Sequence, residues 1–337
     1  MKRIAIVGAG PAGIEAAAAL AASGCGVVVF EKNERPLSNI TDKACLFPNF
    51  ESADTVAAQL LAKLSHPNIS LQCGHDVSCI TSAGTDPAAG WRVDDESFDA
   101  VLLATGYTTF NAKRKEELGY GIYPGVHTSL ELEQMIRNKE IRNSISNLPK
   151  RIVFLQCVGS RDEKTGNHYC SKLCCVTAVK QAIEVKKLLP SVEAYVFYMD
   201  LRMWGQHYEE LYRTAQQEYG VKFVRGRISE AGGTFDGRVQ IKAEDTLLGL
   251  PLRMTSDLLV LMVGMESSDG TRRLSTLCDI CGDYGFAQSL DPHLRDNLTP
   301  RQGLFVAGAC KRPMTLTDSV VDGRSAAFAI LSAADNK

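Results

Sequence analysis

The sequence predicts an α/β protein in which a parallel-sheet domain is split by a second domain of the same general build. Three observations carry this expectation. A strand–turn–helix–strand unit occupies residues 2–31, with three glycines in its turn. A second strand–turn–helix unit starts at Arg151 and loosely echoes the first. A last strand and helix, at 303–307 and 318–332, follow a long excursion and return to the first sheet.

In chain order, residues 2–7 read as a short buried strand, 8–13 as a turn and 14–23 as an Ala-rich helix. Gly24 and Gly26 end that helix, and 27–31 form the second strand. Residues 39–50 read as a loop with Leu46-Phe47-Pro48 as its apolar anchor. A helix at 56–64 and strands at 69–72, 91–93 and 100–104 complete the first part. The polar stretch 112–150, with a helix near 129–137, is suited to connecting two domains. Then come a strand at 151–156, a helix at 172–188, a strand at 193–199, a helix at 204–218, and strands at 222–224 and 258–263. The expected domains are 1–115, the first part of a nucleotide-binding domain; 145–265, an insertion; and 285–337, the return segment.

Bulk properties narrow the function. Lys and Arg total 37 against 39 Asp and Glu, a net charge of −2. That balance argues against nucleic acid or an anionic membrane surface as the main partner. No apolar run reaches the ~18 residues of a membrane span. The first strand begins near Lys2, so no signal peptide is expected and the cytoplasm is the expected location. Eleven cysteines in a reducing compartment point to metal ligands, redox groups and small buried residues rather than disulfides.

The turn Gly8-Ala9-Gly10-Pro11-Ala12-Gly13 is a G-x-G-x-x-G in register with its strand and helix. Gly8 permits the tight turn, Gly10 lets backbone approach a pyrophosphate, and Gly13 lets helix pack on strand. The helix then aims its positive end at the phosphates. Glu31 ends the second strand, where a carboxylate accepts from ribose hydroxyls, and Lys32 follows it. The motif alone leaves FAD and NAD both open.

Two later segments resemble the two-domain flavin disulfide reductases of the thioredoxin reductase kind. They are Val101-Leu-Leu-Ala-Thr105-Gly106 and Gly303-Leu-Phe-Val-Ala-Gly308 with its following helix. The resemblance implies a Rossmann-type FAD domain with an inserted second dinucleotide-binding-like domain. It also implies FAD contacts from Thr105, Gly106, Gly308 and the start of the last helix, capped by Thr317 or Asp318, with Ser319 next. Relatives usually carry an acidic residue after the glycine of the last strand; Ala309 and Cys310 stand here.

Four of the eleven cysteines fall within nineteen residues: Cys157, Cys170, Cys174 and Cys175. On a helix begun at 172, Cys170 and Cys174 are spaced i and i+4 and share a face, while Cys175 is turned by about 100°. Cys157 is expected at the turn after the strand 151–156. Four thiolates match the count for a cubane iron–sulfur cluster. The spacing lacks the two C-x-x-C knuckles of a zinc ribbon; zinc and plain buried thiols are the alternatives. Cys157-Val-Gly-Ser160 also stands where a NAD-binding domain needs a second glycine fingerprint.

Cys157-Val-Gly-Ser-Arg-Asp-Glu, Tyr169-Cys-Ser-Lys-Leu-Cys-Cys and Lys180-Gln-Ala resemble the A-type component of heterodisulfide reductase. So do Tyr198-Met-Asp-Leu-Arg202, Tyr208-Glu-Glu-Leu-Tyr212 and Val221-Lys-Phe-Val-Arg-Gly226. The resemblance implies a [4Fe–4S] cluster on Cys157, Cys170, Cys174 and Cys175 close to FAD, and Lys180 as the catalytic cation near the flavin N5. The alternative for Lys180 is a solvated helix lysine. The chain has no ferredoxin-like C-x-x-C-x-x-C run and only Cys45 near the loop Phe47-Pro-Asn-Phe-Glu-Ser. It is therefore similar to the short A-type component of the heterodisulfide-reductase-like complex of sulfur-oxidising bacteria. That implies B- and C-type partner subunits, association with a lipoate-binding protein, and a homodimer.

The competing enzyme is a stand-alone NAD(P)H-dependent disulfide reductase using Cys278 and Cys281 of Cys278-Asp-Ile-Cys281. A non-catalytic scaffold with a vestigial flavin fold is the third reading. Cys25, Cys73 and Cys79 are expected in the core, and Cys310 within reach of the flavin.

Overall fold

A computed structural model describes residues 1–84, 90–143 and 147–335. The elements that position the site are, in chain order, β1 (Arg3–Val7), α1 (Pro11–Ala22), β2 (Gly26–Glu31), β3 (Ile69–Cys73) and β4 (Ala100–Leu103). They continue as β5 (Val126–Thr128), α2 (Ser129–Asn138), β6 (Arg151–Val158), α3 (Cys174–Leu188) and β7 (Glu193–Tyr198). The last are β8 (Lys222–Arg225), β9 (Leu258–Val263), β10 (Leu304–Val306) and α4 (Leu316–Asp335).

The chain forms two compact units. The first comprises Met1–Ile40, Asp54–Thr108 and Glu266–Lys337, and the second Thr41–Ala53 and Thr109–Met265. Most of the expected loop at 39–50 packs with the second unit, where Ala44, Phe47 and Phe50 lie against its core. The expected boundary at residue 145 and the end of the return segment, residues 336 and 337, lie outside the described residues.

In the first unit the sheet order is β10-β4-β1-β2-β3, every pair parallel. β1 and β2 are covered on both faces, so they read as unbroken apolar runs: Ile4 through Val7 and Val27 through Phe30 are all buried. In the second unit the order is β5-β9-β6-β7-β8, again parallel throughout. Ile152, Val153, Phe154 and the run Leu258–Met262 form its centre. A three-stranded antiparallel sheet of Ile228–Gly233, Val239–Asp245 and Leu250–Ser256 adds to that unit.

Three expected boundaries move, each for a local reason. β6 runs on through Cys157 to Val158, with a break in register between Leu155 and Val158 and Cys157 at φ +60°. The helix expected from 172 starts at Cys174, because Lys172 lies at φ +64° and a left-handed residue cannot extend a right-handed helix. Cys170 is therefore outside the helix and does not share a face with Cys174. The last helix begins at Leu316, two residues earlier than expected.

Candidate functional site

The glycine turn sits where β1 delivers the chain to α1. Gly8 lies at φ +111°, and a Cβ there would stand 2.3 Å from the Ala104 carbonyl oxygen. A Cβ on Gly13 would stand 2.0 Å from the Gly8 carbonyl oxygen. Both positions are filled by the fold itself. Gly10 is different: a Cβ there meets nothing within 4 Å. Pro11 opens α1, Ala12 is buried, and no side chain caps the helix at Gly10. The open face of Gly10 and the uncapped helix end together form a cradle fitted to a diphosphate.

The Glu31 carboxylate lies beside this turn. It accepts from the Ala9 N–H at 2.9 Å and from the backbone and side-chain amides of Asn33, each at 2.9 Å. Lys32 is exposed. At the end of β4 the Thr105 hydroxyl meets that of Thr271 at 2.6 Å, and Gly106, at φ +67°, again faces open space. At the end of β10 a Cβ on Gly308 would lie 2.8 Å from the Ala12 Cβ and 3.9 Å from the Ser319 hydroxyl. The ends of β1, β4 and β10 and the start of α4 thus gather the flavin-side candidates.

The cap of α4 is a correction. Thr315 caps it: its hydroxyl accepts from the Asp318 N–H at 3.0 Å, and the Asp318 carboxylate accepts from the Thr315 N–H at 3.2 Å. Thr317 is an exposed residue of the first turn, and Ser319 bonds back to the Thr315 carbonyl. An acidic side chain from the last helix does reach Gly308, a contact the sequence did not reveal. Asp322 Oδ2 accepts from the Gly308 N–H at 2.6 Å, and Asp322 Oδ1 accepts from Lys311 Nζ at 2.8 Å. Asp296 also binds Lys311, and with it Arg312. Burial works to raise the Asp296 carboxyl, but those two cations prevail and hold it down to about 2.

The four candidate thiols come from three kinds of backbone. Cys157 is on the irregular end of β6, Cys170 in the following loop, and Cys174 and Cys175 in the first turn of α3. The loop is pinned at both ends: the Arg161 N–H donates to the Tyr169 carbonyl at 3.0 Å, and the Ser171 hydroxyl accepts from the Met265 N–H at 2.8 Å. Cys157, Cys174 and Cys175 are buried. Burial pushes the Cys157 thiol up to about 11, with Cys175 adding to the rise and Arg161 opposing it. Burial likewise raises Cys174 far above the usual thiol range, and its thiol neighbours Cys157, Cys175 and Cys170 add to that.

Each of the four thiols is thus within electrostatic reach of the others. Among the described residues, however, no three His, Cys, Asp or Glu side chains come together as a group that could hold a metal ion. The surroundings still suit sulfur ligands. The Lys172 N–H donates to the Cys170 Sγ at 3.3 Å and the Arg202 N–H to the Cys175 Sγ at 3.4 Å. Gln156 Nε2, Ser160 Oγ and one terminal nitrogen of Arg161 are buried without a partner. The donor set fits an iron–sulfur cluster in kind and in number. It does not suit a nucleotide: a Cβ on Gly159 would fall 2.0 Å from the Phe110 ring, which packs against the turn at the end of β6.

Lys180 is not a solvated lysine. Its Nζ donates to both carboxylate oxygens of Glu133, at 2.7 and 2.8 Å, and lies 3.0 Å from Glu184 Oε2. Gln181 Nε2 also reaches Glu133, at 2.8 Å. All four side chains are buried. Burial raises the Glu184 carboxyl to about 7; Lys180 pulls it down and Glu133 pushes it up. Glu184 was legible from its i+4 spacing to Lys180, whereas Glu133, on α2, carried no sequence signal.

The remaining cysteines divide. Cys25 is buried as expected, but Cys73, at the end of the edge strand β3, and Cys79 are exposed. Cys278 is buried and Cys281 exposed, and neither is in a disulfide. Burial lifts Cys278 to about 11. The Cys310 Sγ lies 3.3 Å from the Leu103 carbonyl and 3.1 Å from that of Ala307, and the residue is fully buried.

A family model described as pyridine nucleotide-disulphide oxidoreductase matches residues 1–124. The A-type component of the H(2)/formate:CoB-CoM heterodisulfide,ferredoxin reductase of Methanococcus maripaludis is 42% identical over 240 residues, 68% of this chain and 36% of that protein. The A-type iron-sulfur component of the CoB–CoM heterodisulfide reductase of Methanocaldococcus jannaschii matches with the same identity and the same coverage. The matched part is thus about a third of the length of these curated relatives. Among solved structures, thioredoxin reductase from Lactococcus lactis superposes with a TM-score of 0.68 at 19% identity, over 100% of both chains. That from T. acidophilum gives 0.67 at 18%, over 99% of this chain and 100% of that one. At such identity these two establish the fold: a thioredoxin reductase-like, two-domain flavin disulfide reductase architecture.

Proposed function

This chain belongs to the A-type family of heterodisulfide reductase components, and from that premise we propose that it is an FAD-binding electron-transfer subunit with one [4Fe–4S] cluster. The observation that carries the reading is the contrast between its two turns. One is an open glycine cradle at a helix N-terminus; the other holds buried thiols among N–H donors. Gly8, Gly10, Pro11, Ala12 and Gly13 hold the pyrophosphate of FAD, with Glu31 and Lys32 on the adenosine side. Thr105, Gly106, Gly308 and the α4 start, through Asp318 and Ser319, complete the flavin site. Cys157, Cys170, Cys174 and Cys175 hold the cluster. When bound, FAD supplies two-electron chemistry and the cluster one-electron transfer.

The chain's own part is to hold, orient and shield these groups. Lys180 supplies the cation that the family resemblance gives it, and Glu133 fixes its ammonium. The resemblance of the cysteine segment and of the stretches at 198–202, 208–212 and 221–226 to the short A-type component is the ground for placing the chain in the heterodisulfide-reductase-like complex of sulfur oxidation. Its partners there are B- and C-type subunits and a lipoate-binding protein, and it pairs with itself. Among the described residues no helix is long and apolar enough to cross a membrane.

The test is anaerobic purification followed by absorption spectroscopy and assay of flavin and iron. The expected content is roughly one FAD and four irons per chain, and stoichiometric NADH should leave the flavin oxidised. Flavin without iron after reconstitution, or rapid bleaching by NADH, overturns the reading. The disulfide-reductase alternative has no support in the geometry, because Cys278 is buried and held as a thiol.

A further inference from the structure

Cys175 and Gln156 are a mismatched pair. The Cys175 Sγ lies 3.1 Å from Gln156 Oε1, an arrangement that suits a protonated thiol donating to a carbonyl. The same amide leaves its Nε2 buried and without a partner, in a residue only 5% exposed. A buried, unpartnered amide N–H carries the full penalty of its lost hydration. The two ends of a glutamine amide are nearly the same size, so turning the group over costs little sterically. It would present Nε2 to the sulfur and leave a bare carbonyl, the more tolerable of the two vacancies.

That exchange suits a sulfur that has lost its proton. A thiolate bound to iron is an acceptor only, and the Arg202 N–H already donates to this one at 3.4 Å. Gln156 is well placed for the second bond. It sits on β6 directly before Cys157, so the strand fixes its backbone against the thiol set. Arg161 donates to Asp200 from one terminal nitrogen at 2.6 Å, and its side chain interacts with the neighbouring Cys157 thiol, so the amide of Gln156 is the side-chain group in contact with Cys175. Hydrogen bonds to cluster sulfurs stabilise the more negative, reduced state and so raise the reduction potential.

We infer that Gln156 is a positioning residue for the cluster, donating from Nε2 to the Cys175 sulfur and raising the potential of the couple. The inference rests on the cluster reading above. The variant is Gln156→Met, which keeps the length of the side chain and removes the donor. Its reduction should be about tenfold less favourable than in the wild type, a fall of about 59 mV for a one-electron couple. The readout is an anaerobic EPR-monitored redox titration. Resonance Raman in H2O and D2O gives a second readout: iron–thiolate bands sensitive to deuterium in the wild type lose part of that sensitivity in the variant. An unchanged potential with iron retained overturns this inference and leaves the cluster assignment standing. A wild-type protein that takes up no cluster overturns both. If Gln156→Met loses iron, Gln156→Asn keeps the amide but draws it back by one carbon, and a potential equal to wild type in that variant overturns the inference.

Discussion

β1 and β6 hold the same place in their sheets, third of five with parallel strands on either side, and end in opposite equipment. β1 ends in glycines: two are pressed against backbone, and the third faces open space. β6 carries a cysteine on an irregular, left-handed step one residue before its end, and a glycine covered by the Phe110 ring follows the strand. The C-terminal edge of a parallel sheet before a helix N-terminus is a general-purpose binding position. What it binds is decided by whether backbone amides are left bare or side chains are brought in. One scaffold used twice thus ends in an open glycine turn at a helix N-terminus in one unit and in a set of cysteines in the other.

The largest effects should separate the two turns. Cys174→Ala should cut iron content at least tenfold and leave flavin in place, measured on anaerobically reconstituted protein. Gly10→Val should do the reverse. Because a Cβ there meets nothing within 4 Å, the variant should fold with the melting temperature of flavin-free wild type and still lose flavin at least tenfold. Full flavin in Gly10→Val, or lost iron, would erase the proposed division.

A Cβ at the neighbouring glycine should act on the fold instead. Gly13→Ala places an atom 2.0 Å from the Gly8 carbonyl oxygen, so stability in denaturant should fall by about 3 kcal/mol. If Gly13→Ala is as stable as Gly10→Val, the distinction between packing glycine and binding glycine is wrong.

The Lys180 nest gives a smaller, pH-dependent effect. Glu184 rises from an ordinary 4.5 to about 7 on folding, so the folded state binds its proton more tightly. The corresponding stabilisation is complete below pH 4.5 and is lost as pH climbs through 7. The upper limit is about 3 kcal/mol. Glu184→Gln should flatten this slope between pH 5 and 8 in denaturant titrations; an unaltered slope would mean another group carries it. The smallest effect belongs to Cys281→Ser, an exposed position outside both proposed sites. It should change stability by less than about 0.5 kcal/mol and spare both iron and flavin. Lost iron there would promote the C-x-x-C to a ligand.

What the sequence made legible was whatever depends on local spacing. The strand–turn–helix at Gly8, the parallel strands and the position of Lys180 along α3 follow from periodicity and turn chemistry. What it hid depends on chain segments far apart. Lys172 and Leu173 are good helix formers and favour an earlier start to α3; the loop anchored by Ser171 on Met265 overrides that preference. The Thr315–Asp318 capping box has a clear local signature, and it lies two residues ahead of the expected cap. Glu133 against Lys180 and Asp322 under Gly308 are contacts between elements, and no one-dimensional pattern announces them.

The brace between α1 and α4 sets an order of assembly. A Cβ on Gly323 would lie 2.3 Å from the Ala12 carbonyl oxygen, so the last helix lies directly on the helix that follows the glycine turn. Everything in the second unit has been synthesised by Met265, whereas the first unit waits for residues up to 337. On the ribosome the thiol-bearing unit has its full set of strands while the glycine turn still lacks its covering helix. Domains fold as units during synthesis. The strands that carry the thiols are therefore complete before the helix that closes over the glycine turn has been made.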